Sequence, residues 1–389
     1  MENITELKKH KFIVIGVDHY TPLGLVRSLG INGIRPYLIV LRKKRFSAGL
    51  ATASRYVKKV LQIDSFEELP DLLLSQFGDE EYKPFVYTCN DVATSVLDDL
   101  FDELQSRFIL SNCGGAGMIN HFMQKEMLND AARKAGLNVA TTWTIENDEI
   151  PDNVIYPVIT KPFESYEGWK KDYYVCSNRE ELADALKKVS GKVFIQQYIK
   201  KETELCLDGC VINHGTENFV SAGSIYTYIL PDYYSMEMVV TEFKDRELND
   251  KVDNLFKALK YEGIYSFEFL IDESGNKWFL EVNFRNSTWS WASTSVGMNL
   301  PLLWAYGMLF GEIPEDAHKT IPDNYIALAE IADYEQRVVK RKMMTTKEWF
   351  KGVKRADCLF FFDRRDLRPF ISISSRIFVR EVIKKLKRG

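Results

Sequence analysis

The sequence predicts an α/β N-terminal domain with a doubly wound parallel sheet, followed by α+β domains and a basic C-terminal extension. Three observations lead to this prediction. Strand-like and helix-like segments alternate over the first 110 residues, alternating apolar residues indicate a β-hairpin at 266–283, and positive charge is concentrated after residue 333. At 389 residues, the chain is long enough for two or three domains.

The N-terminal region alternates between predicted strands and helices. The strands are expected at residues 11–16, 35–41, 85–90 and 107–110, and the helices at 23–29 and 92–105. This order is typical of a doubly wound sheet. The residues after Gly16 read Val-Asp-His-Tyr-Thr-Pro-Leu-Gly and lack the glycine spacing of a dinucleotide site, which disfavours an NAD-dependent dehydrogenase.

The middle of the chain is predicted to contain strands and helices in mixed order. A glycine-rich joint at 114–117 precedes an amphipathic helix at 118–135. Further helices are expected at 180–189, 248–261 and 298–311, and strands at 193–199 and 205–213. Aromatic segments at 224–234 and 288–291 are interpreted as packing, with stacking on a substrate as the alternative.

The hairpin at 266–283 is the most informative segment. A turn of four residues joins its strands, so that Asp272 faces Lys277 and Glu268 lies opposite Glu281. Their Cβ atoms are then about 5 Å apart. Two carboxylates this close repel by roughly 3 kcal/mol at an effective dielectric of about 20. An oxygen-seeking cation such as Mg²⁺ would offset the repulsion, and the alternative is a solvated face with both carboxylates in water.

The same register divides the other hairpin residues between two faces. Leu270 and Phe279 are expected beside the two glutamates, and Asn283 lies one step further along that acidic face. Leu280 is expected on the opposite face, which carries the apolar residues of the core. A face that is half apolar and half acidic would exclude water from a metal ion.

Charge and cysteine content limit the class of protein. The net charge of −4 disfavours a general nucleic-acid binder. Residues 334–389 contain 17 Lys or Arg and 6 Asp or Glu, a net charge of +11 that indicates contact with an anion or a solvated basic surface. The six cysteines form no CxxC pair and are expected to be reduced and mostly buried.

The sequence contains no apolar run long enough for a membrane span and no signal-peptide pattern at its start, so a cytoplasmic protein is expected. Residues 375–387 place Val379, Val382, Ile383 and Leu386 on one stripe of a basic amphipathic helix. This helix could lie on an anionic membrane surface at the inner face of the cell membrane or dock on the protein itself.

Six segments appear in a fixed order along the chain. They are Gln124-Lys125-Glu-Met-Leu, Thr160-Lys161-Pro162, Gln196-Gln-Tyr-Ile199, Glu204-Leu-Cys-Leu-Asp-Gly209, Phe267-Glu268-Phe and Glu281-Val-Asn283-Phe-Arg285. In this order and spacing, they resemble the motifs of the ATP-grasp superfamily of carboxylate–amine ligases over about residues 11 to 311. The resemblance implies a pre-ATP-grasp Rossmann-like domain at 1–113, an ATP-grasp domain at 114–333 and a basic extension at 334–389. Within the ATP-grasp domain it implies a lid at about 140–200 and a metal-binding subdomain at about 201–333.

The resemblance also implies roles for individual residues. The residues implied to contact ATP are Lys125, Lys161, Ser165, Gly168, Gln196, Gln197, Ile199 and Glu204. The lysines and the loop after Lys161 would hold the phosphates, the glutamine hinge would contact adenine, and Glu204 would bind the ribose hydroxyls. Glu268, Glu281 and Asn283 would bind two Mg²⁺ ions, with Mn²⁺ as an alternative. Arg285 and Lys161 would be catalytic, and Arg285 would stabilise charge on the transferred phosphoryl group or on the substrate carboxylate.

The implied activity is ATP-dependent joining of a carboxylate to an amine through an acyl phosphate. Within the superfamily, the chain looks most like D-aspartate ligase and other ligases of cell-envelope glycan or peptidoglycan assembly, and a lipid-linked or nucleotide-sugar acceptor would fit the basic C-terminal end. A homodimer is a separate expectation. Two departures are Phe284 in place of the usual proline and the single glycine of the phosphate loop. They leave open a nucleotide-binding sensor with weak catalysis, and a carbamoyl-phosphate-type synthase acting on bicarbonate is a further alternative.

Overall fold

Three β-sheets organise the part of the chain that the structure describes. The structure is a computed structural model and describes residues 4–42, 49–145, 149–162, 174–188, 193–230 and 234–375, without the side chains of Lys161 and Pro162. The first sheet is parallel, the second is a small antiparallel sheet, and the third is a seven-stranded, mostly antiparallel sheet.

The N-terminal sheet has the strand order β3-β2-β1-β4, and its four strands are parallel. The strands are β1 Phe12–Gly16, β2 Tyr37–Leu41, β3 Lys59–Ile63 and β4 Phe85–Thr88. The helices of this region are α1 Ile4–Leu7, α2 Tyr20–Gly30, α3 Leu69–Phe77, α4 Asp91–Asp99 and α5 Phe101–Leu104. β1 lies between β2 and β4, so the chain runs from β1 to β2 and β3 on one side and then crosses to β4 on the other side. The carboxyl ends of β1 and β4 therefore form a topological switch point.

The doubly wound arrangement is confirmed, but its strands differ from the prediction. The edge strand β3 and the helix α3 were not predicted, because the sides of β3 that face solvent carry Lys59 and Gln62 and weaken the apolar signal. The predicted strand at 107–110 is reduced to a bridge between Ile109 and Phe85. The predicted helix at 118–135 divides into α6 Met118–Met123 and α7 Lys125–Lys134, because Gln124 between them has an extended conformation.

The small antiparallel sheet has the order β5-β8-β6-β7. Its elements are β5 Thr142–Ile145, β6 Val158–Pro162, β7 Val175–Cys176, α8 Arg179–Leu186 and β8 Val193–Gln197. The Asn178 side chain caps α8 by accepting a hydrogen bond from the Glu181 backbone. A separate core lies between the helix and this sheet, which is consistent with a subdomain of its own.

The seven-stranded sheet has the order β13-β12-β9-β10-β11-β14-β15. Its strands are β9 Lys201–Ile212, β10 Glu217–Tyr226, β11 Glu237–Thr241, β12 Gly263–Asp272, β13 Lys277–Asn283, β14 Tyr325–Leu328 and β15 Cys358–Leu359. The α-helices are α9 Arg246–Leu259, α10 Ser290–Ser295, α11 Leu300–Phe310, α12 Glu330–Asp333 and α13 Thr346–Arg355, with a π-helix at Tyr334–Lys340 and a helical segment at 367–375.

The N-terminal sheet and the seven-stranded sheet share one hydrophobic core. Trp304 of α11 lies between them, with its ring centroid 5.9 Å from that of Phe85 and 5.3 Å from that of Tyr87. A second core, which contains Phe267 and Phe269, lies between the hairpin and α9. All six cysteines are free and buried, as expected. No helix within the described ranges combines the length and the apolar character that crossing a bilayer requires.

The described part of the predicted basic extension at 334–389 is packed into the fold. β15 pairs with β14, and Phe360 and Phe361 are buried in the shared core. The segment is also bound to α2 through Arg27, which is fully buried and donates to Asp366 at 3.2 Å and to the carbonyl of Phe360 at 2.9 Å. Residues 376–389, on which most of the predicted amphipathic helix falls, lie outside the described residues.

We expect Asp366→Asn to destabilise the protein by about 3–5 kcal/mol, because it leaves the buried Arg27 guanidinium without its counter-charge. The measurement is urea unfolding at neutral pH. Asp152→Asn is the control, since the Arg179–Asp152 pair is solvent-exposed and its loss should cost less than about 1 kcal/mol. Equal, small losses for both variants would contradict a structural role for the buried pair.

Candidate active site

Glu268 on β12 faces Glu281 on β13, as the hairpin pattern predicts. The ladder nevertheless contains a β-bulge, because Phe269 pairs with Phe279 and leaves Leu280 as an extra residue. Phe279 is therefore 5% exposed in the core, whereas Leu280 is 37% exposed. The prediction placed Phe279 on the acidic face and Leu280 on the core face, and both placements are wrong. The extra residue in β13 exchanges the faces of the side chains between the bulge and the turn.

A third carboxylate lies close to this pair. Glu204 is on β9, the other neighbour of β12, where it is 7% exposed and forms an ion pair with Lys201. Burial, followed by the charges of Glu281 and Glu204, raises the pKa of Glu268 well above its usual range, and the Arg285 guanidinium acts in the opposite direction. The arrangement concentrates negative charge and favours a cation.

The donor set fits an Mg²⁺ ion shared with a phosphate better than a site made of protein atoms alone. Across the described part of the chain, no group of three or more His, Cys, Asp or Glu side chains is placed to hold a metal ion. Proteins usually bind Mg²⁺ through one or two carboxylates, with water and substrate phosphates as the other ligands. Glu268 and Glu281 supply two such carboxylates on facing positions of neighbouring strands.

Asn283 and Arg285 connect the carboxylates to the N-terminal sheet. The Asn283 amide donates to Glu268 Oε1 at 3.1 Å, and its oxygen accepts from Arg285 Nη2 at 2.9 Å. Arg285 also donates to both carboxylate oxygens of Asp91, at 2.6 and 3.2 Å. Asn283 is therefore a bridge here, and its predicted role as a metal ligand would require its amide to turn. Asp91 was not predicted, because it pairs with a residue 194 positions away.

The loop after β13 lies against the switch point of the N-terminal sheet. The backbone N–H of Asn286 donates to the carbonyl of Thr88 at 3.1 Å, at the end of β4. Thr288 is 2.8 Å from Thr21, hydroxyl to hydroxyl, at the start of α2. In open α/β sheets, ligands bind at this position, outside the carboxyl ends of the strands. We infer that the acidic hairpin and the switch point border one crevice, because this loop joins them at that position.

Asp208 fixes the loop from the side of the seven-stranded sheet. Its carboxylate accepts a hydrogen bond from the Ser287 hydroxyl, and it is 1% exposed. Burial raises the pKa of Asp208 to about 6, although the hydroxyls of Ser287 and Ser266 lower it. The sequence contains Asp208 within the motif that begins at Glu204, but nothing in the sequence indicates that it contacts residue 287.

The predicted adenine hinge connects the small sheet to β9. The Gln196 side chain donates to the Thr142 hydroxyl at 3.2 Å, and the Gln197 backbone N–H donates to the carbonyl of Thr141 at 2.8 Å. That N–H is therefore engaged within the sheet and does not point to a nucleotide. Ile199 is partly buried just before β9 begins. The hinge and the acidic residues of β9 are consecutive in the chain.

The other predicted phosphate-binding residues are placed only in part. Lys125 is exposed at the first residue of α7. The backbone of Lys161 pairs with Phe194 in the small sheet, but its side chain lies outside the part that the structure describes. Ser165 and Gly168 also lie outside the described residues. The structure thus brings together Glu204, Glu268, Glu281, Asn283 and Arg285, while the phosphate loop stays a prediction.

Comparison with known proteins finds similarity in structure. No protein-family model and no curated protein sequence matches the chain. L-amino acid ligase from Bacillus licheniformis superposes with a TM-score of 0.57 at 16% identity, covering 77% of this chain and 74% of that one. Biotin carboxylase from Campylobacter jejuni, in a complex with beta-gamma-ATP, gives 0.63 at 14% identity, covering 81% and 74%.

N5-carboxyaminoimidazole synthetase from Staphylococcus aureus, complexed with ADP, gives a TM-score of 0.61 at 15% identity and covers 86% of this chain and 85% of that one. These likenesses establish the fold. The parallel sheet followed by a large antiparallel sheet fits an ATP-grasp fold, as the sequence motifs imply. At such low identity, the roles of individual residues rest on the geometry of the crevice.

Asp208 gives a prediction about pH. Its folded pKa of about 6 exceeds its ordinary value of 3.8, so the stability it contributes is fully present below about pH 4 and is lost as the pH rises through 6. We expect the unfolding free energy of the wild type, relative to Asp208→Asn, to fall by about 3 kcal/mol between pH 4 and pH 8. Urea unfolding across this range measures the difference, and a constant difference would contradict the assignment.

Proposed function

We propose that this chain is an ATP-grasp ligase that joins a carboxylate to an amine and releases ADP and phosphate. The observation that supports the proposal is the meeting of Glu268, Glu281 and Arg285 at the switch point of the N-terminal sheet. Facing carboxylates suit a cation that accompanies a triphosphate, and a guanidinium beside them suits the phosphoryl group in transfer. The motif order and the fold agree with this proposal.

The reaction would proceed in two transfers. A carboxylate oxygen of the first substrate attacks the γ-phosphorus of ATP, and the bond to the ADP oxygen breaks, which gives an acyl phosphate and ADP. The nitrogen of the amine then attacks the acyl carbon, phosphate leaves with the electron pair of the C–O bond, and the nitrogen loses a proton. The products are an amide, ADP, phosphate and a proton.

The residues of the crevice would position charge for these steps. Glu268 and Glu281 would hold Mg²⁺, which neutralises charge between the β- and γ-phosphates when it is bound. Arg285, fixed by the two-oxygen contact with Asp91, would stabilise negative charge on the transferred phosphoryl group. Asn283 would keep the guanidinium and the Glu268 carboxylate in a fixed relation.

The small sheet would act as a lid over the nucleotide. It has its own core, and its strands β5 and β8 connect to the rest of the chain at residues 138–141 and 198–200. Asn138 anchors one of these connections, because its backbone carbonyl accepts from the backbone N–H of Phe279 at 2.7 Å. Closure of such a lid would exclude the water that hydrolyses an acyl phosphate.

The substrates are proposed at the level of chemical class. We propose an amino acid as one substrate and a cell-envelope glycan or peptidoglycan precursor as the other, in line with the resemblance to D-aspartate ligases. Trp289 and Trp291 are buried and contribute packing, as interpreted from the sequence.

A screen of phosphate release from ATP tests the proposed reaction. The full chain is incubated with Mg²⁺, ATP and pairs of amino acids and amino sugars, and amide formation is followed by mass spectrometry. Release that requires both a carboxylate and an amine supports the ligase. Release stimulated by bicarbonate alone would indicate a carbamoyl-phosphate-type synthase, and ATP binding without release across the panel would indicate a sensor.

We expect Glu281→Gln to lower turnover by a factor on the order of 100 or more, because it removes one of the two carboxylates that would hold Mg²⁺ at the reacting phosphates. The variant should fold at least as stably as the wild type, because the substitution relieves repulsion with Glu268. Turnover and thermal unfolding measure the two effects separately.

The matched control for this variant is Glu273→Gln, which removes a carboxylate from the exposed turn of the same hairpin. Its turnover should stay within about twofold of the wild type, since surface ion pairs contribute little. Wild-type turnover in Glu281→Gln, or an equal loss in both variants, would contradict the metal assignment.

A further inference from the structure

A strongly basic cavity lies away from the candidate active site. Its volume is about 770 Å³, and the side chains that define its character are Arg35, Arg55, Tyr56, Arg364, Arg365 and Arg368. Arg35 lies just before β2 begins, and Gly30 of the cavity wall ends α2. These positions are at the amino-terminal edge of the parallel sheet, whereas the candidate active site is at the carboxyl ends of β1 and β4.

Few carboxylates neutralise the five arginines. Arg365 forms an ion pair with Asp363, its Nη2 lying 2.9 Å from the carboxylate. Arg35 and Arg55 donate to backbone carbonyls, at 3.0 and 3.5 Å, and form no ion pair with a carboxylate among the residues that the structure describes. The Asp366 carboxylate is close by but fully buried against Arg27, so it does not face the cavity.

Arg364 and Arg368 have no hydrogen-bond or ion-pair partner among the residues that the structure describes, and both are exposed. They lie four positions apart on either side of Asp366, in the segment that the shared core and the Arg27 ion pair hold in place. Four guanidinium groups for which the described residues supply no ion pair, those of Arg35, Arg55, Arg364 and Arg368, therefore line one cavity. Such convergence costs free energy through repulsion unless an anion offsets it.

The cavity walls are fixed by packing and hydrogen bonds. Asp366 accepts from the Ser54 hydroxyl at 2.7 Å and from the Arg55 backbone N–H at 2.9 Å, which joins the two chain segments that carry the arginines. Tyr56 packs directly on Gly30, where an added Cβ would lie 2.1 Å from the ring. The arginine side chains thus project from a rigid frame rather than from loose loops.

We propose that this arginine cavity binds a compact anion that carries two or more phosphate groups. Guanidinium groups bind phosphate oxygens in pairs of parallel hydrogen bonds, which makes arginine better suited than lysine to such a ligand. The volume of the cavity and the number of uncompensated guanidiniums exceed what one phosphate requires. The site is separate from the proposed ATP site and does not depend on the proposed reaction.

The test is calorimetric titration of inorganic tripolyphosphate into the full chain at about physiological ionic strength, without Mg²⁺. We expect saturable binding that Arg364→Gln/Arg368→Gln weakens on the order of tenfold or more. Lys351→Gln/Lys354→Gln removes the same charge from exposed positions on α13 outside the cavity and should change the affinity less than about twofold. Equal losses in the two double variants would show a general charge effect and overturn the proposal.

A third variant separates this site from the candidate active site. Lys125→Gln removes an exposed residue that is predicted to contact ATP phosphates, so binding to the arginine cavity should not change. If Lys125→Gln abolishes tripolyphosphate binding and the arginine variant does not, the anion lies in the active site and the proposal is wrong. No binding by the wild type would also overturn it.

The phosphate groups could belong to a free metabolite or to a lipid headgroup. Sedimentation with phosphatidylcholine vesicles, with and without phosphatidylinositol 4,5-bisphosphate, distinguishes the two sources. Pelleting that requires the bisphosphate lipid, is lost in Arg364→Gln/Arg368→Gln and is reversed by tripolyphosphate identifies a headgroup. Calorimetric binding without such pelleting identifies a soluble ligand, and the absence of both overturns the proposal.

Discussion

The repulsion between Glu268 and Glu281 is the constraint on which the rest of the candidate site depends. β12 lies between β9 and β13, so both carboxylates are held in place by hydrogen-bonded strands and by the aromatic core beneath them. The chain cannot relieve the repulsion by moving one strand without breaking that core. Burial and the nearby Glu204 raise the cost of the negative charge further. A protein that keeps such an arrangement has a site that is stabilised when positive charge enters it.

The loop after β13 connects the acidic hairpin to the N-terminal sheet, which has no glycine fingerprint of its own. This loop follows Asn283, the last residue of β13, presents Arg285 to Asp91, and then contacts the end of β4 through Asn286. The switch point therefore receives a segment of the same chain that carries the acidic residues. The sheet serves as a wall that orients the guanidinium and leaves room for substrates, and it needs no phosphate-binding turn of its own.

Local patterns in the sequence were sufficient for the hairpin, the doubly wound sheet and the facing glutamates, because each depends on residues that are close in the chain. Local patterns were insufficient where a single residue changes the strand register or interrupts a helix and no residue type in the sequence marks that position. No glycine or proline marks the bulge at Leu280 or the break at Gln124. Pairings between distant segments were also not predictable, as Arg285 with Asp91 and Asp208 with Ser287 show, because charge and hydroxyl content alone do not indicate a partner.

The net charge of the basic C-terminal segment does not show by itself which of its basic residues are paired inside the protein and which face solvent. Part of its positive charge is neutralised within the fold, since Arg337 and Arg355 both pair with the buried Glu237 of β11. These pairs join the π-helix and α13 to the seven-stranded sheet, so they explain why the segment is integrated into the fold. The arginines of the cavity are different, because Arg364 and Arg368 have no such partner among the described residues. Lys351 and Lys354 on α13 are exposed as well, but Arg364 and Arg368 are gathered with Arg35 and Arg55 around one cavity, and this placement favours a ligand from outside the protein.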